Sequence, residues 1–98
     1  MTTTNELTVF DPRGRVDAEH RALAPRAAAL KDLRLGILDN TKWNANRLLR
    51  KTAALLEAEH GIGAINYYKK ESFSKSADPA LVAEIAANSD IVLTAIGD

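Results

Sequence analysis

The segment Leu35-Gly36-Ile37-Leu38-Asp39-Asn40-Thr41-Lys42-Trp43-Asn44 decides the fold, together with the helical pattern over 45–60 that follows it. A short apolar run, a polar turn and an amphipathic helix, in this order, are typical of the first βα unit of an α/β domain. The run 33–38 is almost wholly apolar, which predicts a strand buried on both faces of a parallel sheet. The turn between such a strand and its helix is where α/β folds bind ligands.

The segment 45–60 predicts a helix with one core-facing stripe. Residues on this stripe recur at spacings of three and four, and only the last of them is discordant. The predicted stripe consists of Ala45, Leu48, Leu49, Thr52, Leu55, Leu56 and Glu59. Asn44 is the predicted N-cap of this helix, and Gly61 is its predicted C-terminal stop.

The same strand–helix pattern is repeated once downstream. We expect a second strand within 62–68, a Ser- and Lys-rich loop, and a helix with Asp78 as N-cap and Pro79 at its first position. A third strand is predicted over 91–96. The order is therefore β-α-β-α-β with right-handed crossovers, which is half of a doubly wound parallel α/β sheet.

No sustained helical period appears before residue 32. The run 7–10 alternates and could form a short strand, but Asp11-Pro12-Arg13-Gly14 carries a turn signal directly after it. We therefore divide the chain into an extended N-terminal arm, residues 1–31, and an α/β half-domain, residues 32–98. An arm of this length needs burial, either across its own domain or around a neighbour.

Composition excludes several classes of protein. The chain has 98 residues, of which 46% are hydrophobic and 27% charged, as in one small globular domain. No apolar run approaches the roughly 20 residues that cross a bilayer. The first residues lack the basic start and apolar core of a signal peptide, so we expect a cytoplasmic protein that does not bind membranes. The chain contains no cysteine, which excludes disulfides and thiol catalysis within it.

The charge is unevenly distributed, although the formal net charge is zero. Residues 1–51 carry ten Lys and Arg against six Asp and Glu, a net charge of +4, and residues 52–98 carry three against seven, a net charge of −4. This is either chance asymmetry of a solvated surface or a basic surface for an acidic partner or an anionic substrate. The basic residues are dispersed, and only Trp43 lies near them as a stacking group, so we expect no binding of nucleic acid.

The carboxyl ends of the three predicted strands bring polar residues to one edge of the sheet. We predict a catalytic set of Asp39, Lys42 and Asp98. The predicted substrate-binding set is Asn40, Thr41, Trp43, Asn44, Lys69, Thr94 and Gly97. These side chains and the free amides of the helix N-terminus suit a carboxylate or a phosphate, although each residue could instead cap a turn or be solvated. Dinucleotide and phosphate-loop fingerprints are missing and no metal-ligand spacing appears, so we predict no metal site, and the cofactor is unknown.

Several segments resemble the N-terminal half of the UGSC family. The most specific are Leu38-Asp39-Asn40-Thr41-Lys42 and Thr94-Ala95-Ile96-Gly97-Asp98. The others are Thr8-Val9-Phe10-Asp11-Pro12-Arg13-Gly14, Leu23-Ala24-Pro25-Arg26, Tyr68-Lys69-Lys70, Ser74-Lys75 and Asp78-Pro79. The family is named for a Gly-Ser-Cys motif that contains selenocysteine or cysteine, and it is related to the selenoprotein subunit of glycine and betaine reductases.

The resemblance implies a split protein. In the family, the Gly-Asp after the third strand runs directly into the thiol motif and a C-terminal α/β half. This chain would then be the small subunit of a heteromeric enzyme, and a partner subunit would carry the cysteine motif and that second half. Lys42 would bind the carboxylate of a small substrate, and Asp39 or Asp98 would act as an acid or base in reductive cleavage or addition/elimination. The alternatives are a non-catalytic scaffold or regulatory subunit and a free-standing binding domain.

Overall fold

A computed structural model describes residues 5–97, in which a three-stranded parallel sheet carries one helix on each face. The elements are β1 Leu35–Asp39, α1 Ala45–His60, β2 Ile65–Lys69, α2 Pro79–Asn88 and β3 Ile91–Ala95. This confirms the predicted α/β class and the order of strands and helices. The observed strands are five residues each and are shorter than the predicted segments.

β1 is the central strand of the sheet, whose order is β2-β1-β3. Leu35 pairs with Ile65 on one side and with Ile91 on the other, and both neighbouring strands are parallel to β1. Leu35 and Ile37 are fully buried on the α1 face; on the other face Gly36 is buried and Leu38 is half-buried, as expected for a strand that is covered on both faces. Within residues 5–97, the outer edges of β2 and β3 have no strand partner.

α1 buries only part of the predicted stripe, together with Ala53, which was not predicted. Ala45, Leu49 and Ala53 are buried, whereas Leu48 and Leu55 are 51% and 58% exposed, so their assignment to the core was wrong. Two adjacent stripes of this helix have apolar residues at the same spacing, and periodicity does not distinguish them. The stripe that faces the sheet contains two alanines, whose small side chains let the helix lie close to the strands.

The ends of α1 differ in how well they match the sequence prediction. Gly61 ends the helix in the left-handed conformation, with φ 66°, and donates its N–H to Glu57 O at 3.1 Å, as predicted. Asn44 occupies the N-cap position, but its side chain makes no capping hydrogen bond, so this part of the prediction was wrong. Its φ of 65° lies outside the extended region from which a capping side chain reaches the first turn.

The N-terminus of α2 is capped as predicted. The Asp78 side chain accepts a hydrogen bond from Ala80 N at 3.0 Å, and Pro79 opens the helix. α2 packs on the face of the sheet opposite α1, because a Cβ added to Gly36 would collide with Ser89 Oγ and lie 3.3 Å from Ile85 Cγ2. Side chains alternate along a strand, so even-numbered positions of β1 face α2 and odd-numbered positions face α1.

Residues 5–29 form neither helix nor strand and are exposed throughout. The alternating run 7–10, which could have formed a short strand, has no neighbouring strand among residues 5–97 to complete a ladder with it and stays irregular. The turn signal that follows is realised by the Asp11 carboxylate, which accepts hydrogen bonds from Arg13 N at 3.0 Å and Arg13 Nη2 at 2.7 Å. The radius of gyration is 20.2 Å, against about 13 Å for a compact domain of about 100 residues. The arm thus extends away from the α/β body rather than lying across it.

Candidate functional site

The carboxyl ends of β1 and β3 meet in a cleft of about 350 Å³ on the α2 side of the sheet. Its lining comprises Leu38, Asn40, Lys70, Ser76, Ala77, Thr94, Ala95, Ile96 and Gly97. The chain leaves β1 for β2 on one side and later returns to β3 on the other side, so the strand order reverses at this point. Open α/β sheets bind ligands at such a switch point. We call this cleft the switch cleft.

The polar groups of the switch cleft are held by hydrogen bonds between the strand ends. Asn40 N donates to Ala95 O at 3.1 Å, and Asn40 Nδ2 donates to Ile96 O at 2.5 Å. Thr94 Oγ1 donates to Leu38 O at 2.8 Å. Asn40 therefore joins the end of β1 to the segment after β3 and fixes the floor of the cleft.

A second, smaller cavity of about 120 Å³ lies on the other face, between α1 and β2. Its lining comprises Ile37, Asp39, Asn46, Leu49, Arg50, Tyr67, Tyr68 and Lys69. Asp39 is only 8% exposed; its Oδ1 accepts from Thr41 N at 2.8 Å, and its Oδ2 accepts from Asn46 Nδ2 at 3.4 Å. We call this space the α1 cavity.

Arg50 is fixed within the α1 cavity by two contacts. Its guanidinium lies over the Tyr67 ring, 4.3 Å from the ring centroid, which is the geometry of a cation–π interaction. Its Nε donates to Asn46 Oδ1 at 3.1 Å. Since Asn46 also donates to Asp39, one amide side chain links the carboxylate at the end of β1 to the guanidinium on α1.

The structure divides the predicted site residues between the two cavities. Asn40, Thr94 and Gly97 line the switch cleft, whereas Asp39 and Lys69 line the α1 cavity. Consecutive residues of a strand point to opposite faces of the sheet. The side chains of Asp39 and Asn40 therefore lie on opposite faces, although the two residues are neighbours in the sequence. The expected single pocket is therefore two half-sites on opposite faces of one sheet edge.

The remaining predicted residues form the turn before α1. Thr41 has φ 69°, and its Oγ1 donates to Asn40 O at 2.6 Å. Lys42 O accepts from Ala45 N at 3.1 Å, and Asn44 O accepts from Leu48 N at 3.0 Å, so both residues start the helix through their backbone. Trp43 is 88% exposed, and its part in substrate binding stays a prediction. Asp98 lies outside the described residues.

Sequence reasoning misses Asn46, Arg50 and Tyr67 as cavity residues. A usable signal exists for Asn46 and Arg50. They are one helical turn apart, and Asn46 is the second residue of the predicted helix that follows the polar end of β1. Tyr67 carries no such signal, because the sequence predicts it only as one of the apolar residues of β2.

The charges on α1 are arranged against the helix dipole. Arg47 lies in the first turn, which has no acidic residue, and Arg50 and Lys51 follow it, whereas Glu57 and Glu59 lie near the C-terminus. Negative charge near an N-terminus, or positive charge near a C-terminus, stabilises a helix by roughly 0.3–1 kcal/mol per group, and most of these residues are placed the other way round. The result is positive charge near the sheet edge that holds both cavities.

Comparison with known proteins identifies the family. The sequence model of the UGSC family matches residues 8–98, which include both cavities and most of the arm. The chain belongs to the UGSC family. No curated protein and no solved structure matches this UGSC-family chain. Neither helix in the stretch 5–97 has the length and apolarity required to span a membrane.

Proposed function

We propose that this UGSC-family chain is the small subunit of a cytoplasmic two-chain enzyme whose partner carries the thiol motif. The observation that supports this is the outer edge of β3, which has no strand partner within residues 5–97. Its sequence, Ile-Val-Leu-Thr-Ala, contains no charge and no proline that would block a further strand. The other outer strand, β2, carries the exposed polar residues Asn66, Tyr67 and Lys69, which suit an edge that stays open to water.

The backbone of β3 is oriented for a further strand. Ile91 N donates to Arg34 O at 3.2 Å, and Ala95 O accepts from Asn40 N at 3.1 Å, so the odd-numbered residues face β1. Backbone polar groups alternate between the two sides of a strand, and Val92 and Thr94 therefore direct theirs to the uncovered edge. A partner strand paired there would extend the sheet toward a doubly wound, flavodoxin-like arrangement, of which the order β2-β1-β3 is the first half.

The proposed substrate site is the switch cleft, because it lies at this same edge. A partner strand beside β3 would bring its own loops over Thr94 and Gly97. Asn40, Thr94 and Lys70 would hold a small carboxylated substrate, Lys42 and Asp98 would supply charge to it, and the partner's thiol would act on it. Asp98 would act as the acid or base. Asp39 lines the α1 cavity on the opposite face of the sheet, where its hydrogen bond to Thr41 fixes the turn. The chemistry is reductive cleavage or addition/elimination.

Proline at the edge of β3 tests the assembly. Val92→Pro removes one outward N–H and no hydrogen bond to β1, so the chain should fold and fail to copurify with a coexpressed UGSC-type protein that has the cysteine motif. Val92→Thr keeps the N–H and should copurify normally. Circular dichroism of both variants reports folding. A folded proline variant that still assembles would overturn the proposed strand pairing.

The second candidate function is a non-catalytic scaffold subunit. The observation that favours it is the exposed apolar surface of the arm, which includes Leu7, Val9 and Phe10 and lies apart from both cavities. Lys42→Gln distinguishes the two functions. An enzyme subunit predicts that turnover by the copurified pair is lost while the pair stays assembled, whereas a scaffold predicts unchanged turnover.

A further inference from the structure

We infer that the α1 cavity binds a small monoanion with a carboxylate-like or phosphate-like oxygen group, and that Arg50 and Lys69 hold it. Both cations line the cavity, and neither forms an ion pair within residues 5–97. The one carboxylate in the lining, Asp39, already accepts hydrogen bonds from Thr41 N and Asn46 Nδ2. Two cations and one carboxylate leave the cavity with a net positive charge, which a single negative charge complements.

Arg50 is preorganised for such a ligand. Its Nε donates to Asn46 Oδ1, and its Cζ lies over the Tyr67 ring, 4.3 Å from the centroid. The terminal guanidinium nitrogens make no hydrogen bond within the described part of the chain, so they remain available as donors. The planar fork of an arginine matches the two oxygens of a carboxylate or phosphate, and a stacked guanidinium loses little freedom when it binds them.

Lys69 and the cavity walls complete the site. Lys69 lies two residues after Tyr67 on β2 and therefore on the same face of the sheet as the ring that supports Arg50. Ile37 and Leu49 form the buried apolar wall of the cavity, whereas Arg50 and Lys69 are exposed, so a ligand can reach both cations from solvent. The volume of about 120 Å³ exceeds several-fold the roughly 10–15 Å³ that one water requires, so a ligand of a few heavy atoms fits.

The charge pattern of α1 is an independent observation in favour of an anion. Helix stability favours acidic residues near the N-terminus, yet the first half of α1 carries Arg47, Arg50 and Lys51 and no acidic side chain. An anion bound beside this half of the helix offsets that arrangement. The site lies on the face of the sheet opposite the switch cleft, and it requires no partner subunit.

Ligand-induced stabilisation of the full-length chain tests the site. Thermal unfolding is followed with acetate and, separately, with inorganic phosphate as probes, at constant ionic strength maintained with chloride. We expect a saturable rise in Tm for the wild-type chain. Arg50→Gln and Lys69→Gln should each weaken the apparent affinity about tenfold or more, because each removes a charge-assisted contact. A stronger effect of acetate identifies a carboxylate ligand, and a stronger effect of phosphate identifies a phosphate ligand.

Arg47→Gln is the matched control, because Arg47 is an exposed cation on the same helix that does not line the cavity. It should retain the wild-type response. The response to the probe, rather than the absolute Tm, is compared, so a variant that is merely less stable remains informative. Loss of the response in the Arg47 variant to the same extent, or a wild-type chain without any saturable shift, would overturn the proposal. The result is independent of copurification, so it stands or falls separately from the two-chain enzyme.

Discussion

Gly36 shows how one missing side chain determines the packing of an entire helix. A Cβ at this position would meet Ser89 Oγ and would lie 3.1 Å from Ser89 Cβ. Ser89 Oγ can rotate away about χ1, but Ser89 Cβ follows the backbone at the C-cap of α2, so relief of this contact requires the end of the helix to shift. The contact explains why an apolar strand contains a glycine at its second position, which periodicity alone leaves without a reason.

Substitution of this glycine should therefore be costly. We expect Gly36→Ala to lower the free energy of unfolding by about 1–3 kcal/mol, because the added methyl group overpacks the interface between β1 and α2. Urea unfolding monitored by circular dichroism measures the change. Gly14→Ala is the control, since nothing lies within 4 Å of a Cβ at that position. Equal stability of the two variants would contradict the packing that we describe.

Arg34 and Asp90 immediately precede β1 and β3. Their side chains link the amino-terminal ends of these two strands, at the end of the sheet opposite both cavities. Asp90 Oδ2 accepts from Arg34 N at 2.8 Å, and Asp90 Oδ1 accepts from the guanidinium at 3.1 Å. The side-chain hydrogen bonds to Arg34, reinforced by the backbone one, lower the pKa of Asp90 below its ordinary value of 3.8. The folded chain thus holds this proton more weakly than the unfolded chain does.

The sign of the pH dependence follows from this pKa. The stabilisation is fully present above about pH 4, the ordinary pKa of an aspartate, and is lost as the pH falls through the lowered pKa of the folded state. Asp90→Asn should therefore reduce the loss of stability in acid, which unfolding curves between neutral pH and pH 2 measure.

Asp11→Asn is the matched control for this pH dependence. Arg13 lowers the pKa of Asp11 through a similar set of hydrogen bonds, but that pair lies within the arm and joins no strands. The acid unfolding of this variant should match that of the wild type. If the acid unfolding curve of Asp11→Asn departed from the wild-type curve as far as that of Asp90→Asn, the link between strands would not explain the effect of Asp90 on stability.

At the scale of the elements, α1 gives the clearest test of the observed packing. Leu49 is buried against Leu35 and Ile37, whereas Leu48 is largely exposed. We expect Leu49→Ala to cost about 2–5 kcal/mol of unfolding free energy, because it leaves a cavity in the core. Leu48→Ala should change the stability by no more than about 0.5 kcal/mol. Chemical denaturation of the two variants measures both changes. Similar losses of unfolding free energy would mean that Leu48 belongs to the buried stripe, as the sequence predicts.

The sequence predicts the elements well where the signal is local. The Asp78 cap, the first-turn Pro79 and the Gly61 stop are read from one or two residues, and the structure confirms each of them. Local sequence does not determine which stripe of α1 is buried, because two faces of the helix carry leucines and packing decides which of them meets the sheet. The strand ends also depend on pairing with neighbours, and for this reason their bounds shift.

The candidate site is predictable as an edge of the sheet and not as a pocket. Asp39, Asn40 and Lys69 do lie at the carboxyl ends of strands, as expected from the βα pattern. Which face each side chain takes is fixed by the strand register, and this register is a property of the paired chain. The spacing of Asn46 and Arg50 on α1 can be read from the sequence, but the contact of Arg50 with Tyr67 depends on how the helix packs against β2.

At the scale of the whole molecule, residues 5–29 of the arm form the longest exposed stretch of the described chain. Its apolar residues Leu7, Phe10 and Leu23 are almost fully exposed, and the first side chain that packs partly on the core is Leu30. Exposed apolar residues along an extended segment of this length are typical of a chain that wraps a neighbour. We therefore propose that residues 1–31 contact the partner subunit.

Removal of the arm should separate folding from assembly. A chain that lacks residues 1–28 keeps Leu30 and the hydrogen bond of 2.9 Å from Asp32 N to Gly61 O. We expect its unfolding free energy to change by no more than about 0.5 kcal/mol. Its affinity for the partner should fall by at least about tenfold, as measured by titration of the purified subunits. Unchanged affinity would exclude a role of the arm at the interface.

The pairing of β3 with β1 also constrains how this molecule is made. The hydrogen bonds between Thr94 and Leu38, and between Arg34 and Asp90, join residues 56 positions apart in the chain. Contacts of such long sequence separation form slowly, because the intervening loop must close before any of them contributes. Closure of the sheet is thus expected to be the late, rate-limiting event in refolding. Until it occurs, the apolar β3 segment is exposed to other nascent copies of the chain, and it is therefore the segment most prone to aggregate during synthesis.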